Sequence, residues 1–177
     1  SAFRFESHKR PYNLLCRAVE YDTLPWCIEN GIGTIGYITL FQGILTGKDA
    51  SLNDVPEWRR RTRHFNCTGT PLCRHRESGF ETETQQALMK IHGIAEQSGI
   101  KMGELATQWA IASGITCALV GARNIAQLEE NVRAANGQLD PQVIQQLNQA
   151  TQKLKEKLGN HFDYYENKKD DRTLKIK

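Results

Sequence analysis

No run of roughly 18 apolar residues occurs in the chain, which leaves no candidate for a membrane-spanning helix. A secretory leader is missing as well: Ser1-Ala2-Phe3-Arg4-Phe5 has neither an apolar core nor a cleavage pattern. No methionine opens the chain, which fits a boundary imposed on a longer sequence. Charge of one sign is also scarce. The net charge of +3 comes from 23 basic and 20 acidic residues, too even a balance for the massed basic face of a nucleic-acid binder. Internal repeats and low-complexity tracts are lacking. The five cysteines form an odd set in 177 residues, unlike the even sets of small oxidised scaffolds, so reduced thiols and a cytoplasmic setting are expected.

What is present is the punctuation of alternating strands and helices. Phe3-Arg4-Phe5 has period-two character, and a strand is expected from there toward Tyr12-Asn13-Leu14-Leu15. Asp22 precedes a short helix ending at Gly31, and Thr34 to Leu40 reads as a buried strand. From Phe41 to Phe80, glycines, prolines and the run Arg59-Arg60-Arg61-Thr62-Arg63 break any period, as a functional loop does. Helical faces return from Glu83 to Gly99 and from Leu105 to Gly114. Ile115 to Val120 reads as another fully buried strand, and Gly121-Ala122-Arg123-Asn124 opens a helix running to Ala134 or Ala135. Asp140 and Pro141 start the last helix, and a polar tail follows from Asn160. This order predicts an α/β protein with parallel strands covered on both faces.

Three segments carry a resemblance. Pro11-Tyr12-Asn13-Leu14-Leu15-Cys16-Arg17 is similar to the sixth-strand segment of aldo-keto reductases, in the group of the potassium-channel β-subunit relatives. Gly36-Tyr37-Ile38-Thr39-Leu40-Phe41-Gln42-Gly43-Ile44-Leu45-Thr46-Gly47-Lys48 resembles the seventh strand and its loop. Val120-Gly121-Ala122-Arg123-Asn124-Ile125-Ala126-Gln127-Leu128-Glu129-Glu130-Asn131 looks like the eighth strand entering its helix, and is the most specific of the three. The resemblance runs to about Leu154. It implies the C-terminal half of a TIM (β/α)8 barrel, about strands six to eight with their helices, over residues 1–159, with 160–177 as a tail. A whole barrel takes about 250 residues, more than are here. The Asp, Tyr, Lys and His motifs of the family's chemistry lie in the absent half, so no residue of this chain is expected to be catalytic.

What the family binds is implied in turn: a nicotinamide dinucleotide, NADP in preference to NAD, and no metal. The implied cofactor set is Tyr37, Leu40, Gly43, Gly121, Arg123, Asn124, Gln127, Glu130 and Asn131. Gly43 and Gly47 let the backbone approach a pyrophosphate. The turn from Gly121 to Asn124 offers helix-start amides to an anion, and Arg123 can grip a 2′-phosphate with two hydrogen bonds. Gln127 and Asn131, four apart, share a face toward an adenine edge. Tyr37 would stack on the nicotinamide. Plainer readings stand beside these: Gly121 ends a strand, Asn124 caps a helix, Tyr37 is a core residue with its hydroxyl at the rim. Two departures weaken the nicotinamide end. Ile38-Thr39 replaces the family's Ser-Pro, and Lys9 stands where a glutamine is usual.

Two other constellations compete. His64, Cys67, Cys73 and His75 are good zinc ligands by type, but their spacing matches no standard finger. The arginine run is a solvated surface or, with His64, an RNA contact without an aromatic platform. His92 and His161 read as surface helix and tail residues. The expected function is therefore that of an NADP-dependent reductase of aldehydes or ketones, represented by its cofactor-binding half and inactive alone. The alternative is a non-enzymatic assembly or interaction module, self-associated or joined to a complementary N-terminal half, because a half-barrel leaves open strand edges. Neither nucleic acid nor membrane is an expected partner.

Overall fold

A computed structural model describes residues 6–49, 51–167 and 169; the segment Phe3-Arg4-Phe5 and the end of the tail lie outside them. Three strands, β1 (Ser7–Pro11), β2 (Gly33–Tyr37) and β3 (Cys117–Ala118), form one parallel sheet in the order β1-β2-β3. Ser7 stands opposite Gly33, Pro11 opposite Tyr37, and Gly36 opposite Ala118. Five α-helices are described: α1 (Thr23–Glu29), α2 (Glu81–Ser98), α3 (Met102–Ala112), α4 (Ile125–Asn136) and α5 (Pro141–Leu158).

The strands are shorter than the sequence predicts, each for a local reason. β1 ends at Pro11, which has no amide to continue the ladder. Beyond it the Asn13 Oδ1 accepts the amides of Leu15 and Cys16 at 2.9 and 3.0 Å, so Asn13 to Cys16 form a turn rather than a strand. β2 stops before Ile38, whose φ of 53° is outside the extended region. β3 pairs with β2 alone and keeps only two residues, extended by the Thr116 and Leu119 amides donating to Thr34 and Gly36. The expectation of cover on both faces also fails. Along β2, Thr34 and Gly36 are buried while Ile35 and Tyr37 are half-exposed, and Leu119 after β3 is 51% exposed.

On the covered side, the ring of Tyr12 stacks on Trp109 of α3 at 5.3 Å, among Ile91 of α2, Leu105 of α3 and Leu147 and Leu154 of α5. Each fully buried leucine or isoleucine there contributes about 1.5–3 kcal/mol. The Trp109 indole donates to Asn148 Oδ1 at 3.0 Å, so its polar edge is satisfied inside the core.

The stretch from Phe41 to Phe80 is irregular, as its composition predicts, and holds four short 3-10 turns. The run Arg59-Arg60-Arg61-Thr62-Arg63 is not a solvated surface. Arg59 and Arg63 are buried, paired to Asp49 and Glu77 at 2.9 Å, and Arg63 also donates to the Leu158 carbonyl. Nor are all thiols reduced: Cys67 and Cys73 form a disulfide, while Cys16, Cys27 and Cys117 are free. The first residues of the tail pack on the core instead of standing away from it. His161 is buried, and Tyr164, fully enclosed, accepts the Ala18 amide at 3.0 Å. Among the described residues no helix is long and apolar enough to cross a membrane.

Candidate functional site

The chain leaves β2 through Ile38, Thr39 and Leu40 and leaves β3 through Leu119, Val120 and Gly121. These two exits, with the start of α3 and one face of α4, enclose a cleft of about 800 Å³. The Thr39 hydroxyl donates to the Leu119 carbonyl at 3.2 Å and ties the exits together. Thr39 thus holds the backbone where the family usually has a proline.

Of the expected cofactor set, Leu40, Gly43, Gly121, Arg123, Gln127, Glu130 and Asn131 line this cleft; Tyr37 and Asn124 do not. Gly43, at φ +89°, brings backbone close to two cations. A Cβ built there would stand 3.5 Å from Lys48 Cε and 3.8 Å from an Arg59 terminal nitrogen. Arg59 gives one nitrogen to Asp49, while its buried Nε has no hydrogen-bond partner. A buried guanidinium donor left without an acceptor is costly unless an anion serves it. Lys48, Arg59, Thr39 and Lys101 are cleft residues that sequence reasoning missed. Lys48 directly follows the quoted Gly47, a signal that was available; Arg59 was hidden in a run that resembles a solvated face.

The start of α4 is arranged differently from the expected cradle. Asn124 caps the helix, its Oδ1 accepting the Gln127 amide at 2.9 Å, and the Gln127 Oε1 accepts the Arg123 amide at 2.8 Å. The Arg123 amide, one of those in the Gly121 to Asn124 turn expected to meet an anion, is thus taken by a side chain of this chain, and Gln127 is engaged there rather than held toward an adenine. The Arg123 side chain remains exposed on the cleft wall. Glu130 pairs with Lys101, whose hydrogen bond and charge hold the carboxyl below its usual range. Tyr37 carries the Lys9 ammonium 5.6 Å from its ring centroid, so the departure at Lys9 bears directly on the proposed stacking surface.

The four-residue zinc candidate divides. Ligand atoms of Cys67, Cys73 and His75 lie within 4.8 Å of one another, whereas His64 is elsewhere in the core. His64 Nε2 faces the Leu15 carbonyl at 2.8 Å and Nδ1 the Thr62 hydroxyl at 3.1 Å. A carbonyl only accepts, so the proton is on Nε2 and Thr62 donates to Nδ1. Burial pulls the His64 pKa down to about 4.

An α/β chain with a cationic cleft at the C-terminal ends of parallel strands is the setting in which barrel enzymes hold phosphorylated ligands. The model of the aldo/keto reductase family matches residues 2–152. The chain belongs to that family. It is 37% identical over 132 residues to an L-glyceraldehyde 3-phosphate reductase of Escherichia coli O157:H7, covering 73% of this chain and 36% of the relative. It is 26% identical over 145 residues to a versiconal hemiacetal acetate reductase of Aspergillus parasiticus, covering 81% and 39%. An NADP(+) aldo-keto reductase of Schizosaccharomyces pombe matches at 27% over 143 residues, covering 79% and 39%. The chain therefore spans between 36% and 39% of the length of these relatives.

Proposed function

We propose that the chain is the cofactor-binding C-terminal half of an NADP-dependent aldehyde or ketone reductase, with strands six to eight of a (β/α)8 barrel in β1, β2 and β3. The observation that carries this reading is the convergence of Gly43, Lys48, Arg59 and Arg123 on one cleft. A diphosphate fits this donor set, because a terminal nitrogen of Arg59 and the ammonium of Lys48 both stand beside the Gly43 backbone on the cleft wall. Arg123, exposed on the opposite wall, is suited to a 2′-phosphate, and Asn131 and Leu40 to the nucleoside between. A bound nicotinamide dinucleotide would supply the hydride for carbonyl reduction. The residues here bind and orient; none is assigned a proton-transfer role, so alone the chain reduces nothing.

Titration with NADPH and NADH, followed by nicotinamide fluorescence, tests the reading. Saturable NADPH binding is expected, weakened roughly tenfold or more by Arg123→Ala, since hydrogen bonds between charged groups are worth about 1.5–3 kcal/mol. NADH binding should change little. No saturable signal with either nucleotide removes the proposal.

A second reading, a non-enzymatic assembly module, rests on a different observation. Ile125, Leu128 and Val132 of α4 are more than half exposed, and Leu119 stands bare beside β3. Such apolar surface invites a covering partner. The complementary half of a longer protein suits it, given the share of the relatives that this chain spans.

A further inference from the structure

Cys67, Cys73 and His75 are apart from the cleft, in the loop that closes on α2. Both cysteines are half-exposed, so a thiol in solution can reach the bond between them. His75 is fully buried beside them; its Nδ1 accepts the Glu77 amide at 3.1 Å, so the ring proton is on Nε2, which meets the Thr62 backbone. The Cys67 sulfur accepts the Arg76 amide at 3.1 Å, a contact that favours a thiolate. Contacts beside the disulfide also shape the loop. Cys67 donates its amide to the Glu77 carbonyl at 3.1 Å, Glu77 is paired to Arg63, and the Phe80 amide donates to the Arg63 carbonyl at 3.2 Å. These contacts join the Cys67 end of the loop to Glu77 and Phe80 independently of the bond.

We propose that Cys67, Cys73 and His75 form a redox-gated zinc site, closed while the disulfide is intact and opened by a thiol reductant. In the opening step two thiols of the reductant give two electrons and two protons: the Cys67–Cys73 bond breaks, two thiols form on the protein, and the reductant becomes a disulfide. A zinc ion then takes both sulfurs, releasing their two protons, and His75 Nδ1, which exchanges the Glu77 amide for the metal while the ring proton stays on Nε2. Water fills the fourth position of the tetrahedron. Zinc–sulfur bonds of about 2.3 Å and zinc–nitrogen bonds of about 2.0–2.1 Å set tetrahedral ligand atoms roughly 3.5–3.8 Å apart. The two sulfurs, bonded to each other here, part to that spacing once reduced, and the imidazole nitrogen, within 4.8 Å of both, closes on it.

The test uses the full chain, oxidised or reduced with a phosphine, and Zn²⁺ in competition with a chromophoric chelator. One equivalent bound by the reduced chain and none by the oxidised chain is expected, with thiolate-to-metal absorption when Co²⁺ replaces zinc. His75→Ala should weaken uptake by at least roughly tenfold, the loss that even an outer-shell partner can produce. Because a variant can fail to fold, the wild-type chain is also alkylated with and without Zn²⁺. Protection of Cys67 and Cys73 but not of the exposed Cys117 supports the site. Zinc uptake equal in both redox states, absent from the reduced chain, or leaving Cys67 and Cys73 as reactive as before overturns it.

Discussion

Gln127 folds its side chain back over the start of α4 and accepts the amide of Arg123, while its own amide donates to Asn124. The two bonds lock each other, so the helix start is capped from within and cannot spend those amides on a ligand. Under the proposed function, anion recognition at this wall falls to the Arg123 guanidinium. Removing the cap with Asn124→Ala should cost about 1 kcal/mol. Faster amide hydrogen exchange in the first turn of α4 would report it, with NADPH affinity reduced far less than by Arg123→Ala. Unchanged exchange would mean that the cap is energetically idle.

Lys48 tests the other wall. Its ammonium lies beside Gly43, where a group common to NADPH and NADH would bind under the proposed function. Lys48→Gln should therefore weaken both nucleotides by a similar factor, roughly tenfold, as losing a charged hydrogen bond does. Arg59→Ala is a poorer probe, because it strands the largely buried Asp49 carboxylate and would destabilise the loop. A Lys48→Gln effect confined to NADPH would place the 2′-phosphate on the wrong wall.

These two walls show what a sequence makes legible. Asp140 with Pro141, Gly99 after α2 and Asn124 before α4 are local signals, and each marks its helix end within a residue or two. The strand ends were less legible: Pro11 and the positive φ of Ile38 stop β1 and β2 short of the apolar runs that predict them. What could not be read depends on partners distant in sequence. Arg63 looks solvated until Glu77 and the Leu158 carbonyl meet it, and His161 looks like a tail residue until the core closes around it. Cys67 and Cys73 lie six apart, close enough to bond, but only the fold of the loop brings their sulfurs together. Gln127 was read as facing a ligand because helical spacing places it on the right face; spacing cannot tell that its amide oxygen is used four residues back.

His64 makes stability depend on pH. Its ring is fully buried against Phe41 and Tyr164, and burial holds its pKa near 4 against an ordinary 6.5. The unfolded chain therefore takes up a proton at this residue first as the pH falls. The associated stability is complete above 6.5, drains away between 6.5 and about 4, and changes no further below that. Over that window the loss amounts to about 3 kcal/mol. His64→Gln keeps a donor for Leu15 and an acceptor for Thr62 without titrating. Denaturant unfolding at several pH values should show the wild type losing this much relative to the variant between pH 7 and 4. Parallel curves would mean that the ring is already protonated in the fold or reached by water.

Ile125, Leu128 and Val132 recur at helical spacing along α4, and their exposure makes the last prediction. The same helix turns Gln127, Glu130 and Asn131 to the cleft, so its polar residues are occupied on one side while apolar ones meet water on the other. Water leaves such a surface at a gain of about 25 cal/mol per Å² once something covers it. In the absence of a complementary half, a second copy of the chain is the available cover. Sedimentation at rising concentration should show the mean mass climb above that of a monomer, and Leu128→Gln with Val132→Gln should lower the association. Both substitutions are on exposed positions, so folding should survive them and nucleotide binding should be retained. A wild-type chain that stays monomeric throughout would remove self-association, leaving a complementary half as the cover of α4 and the cleft untouched.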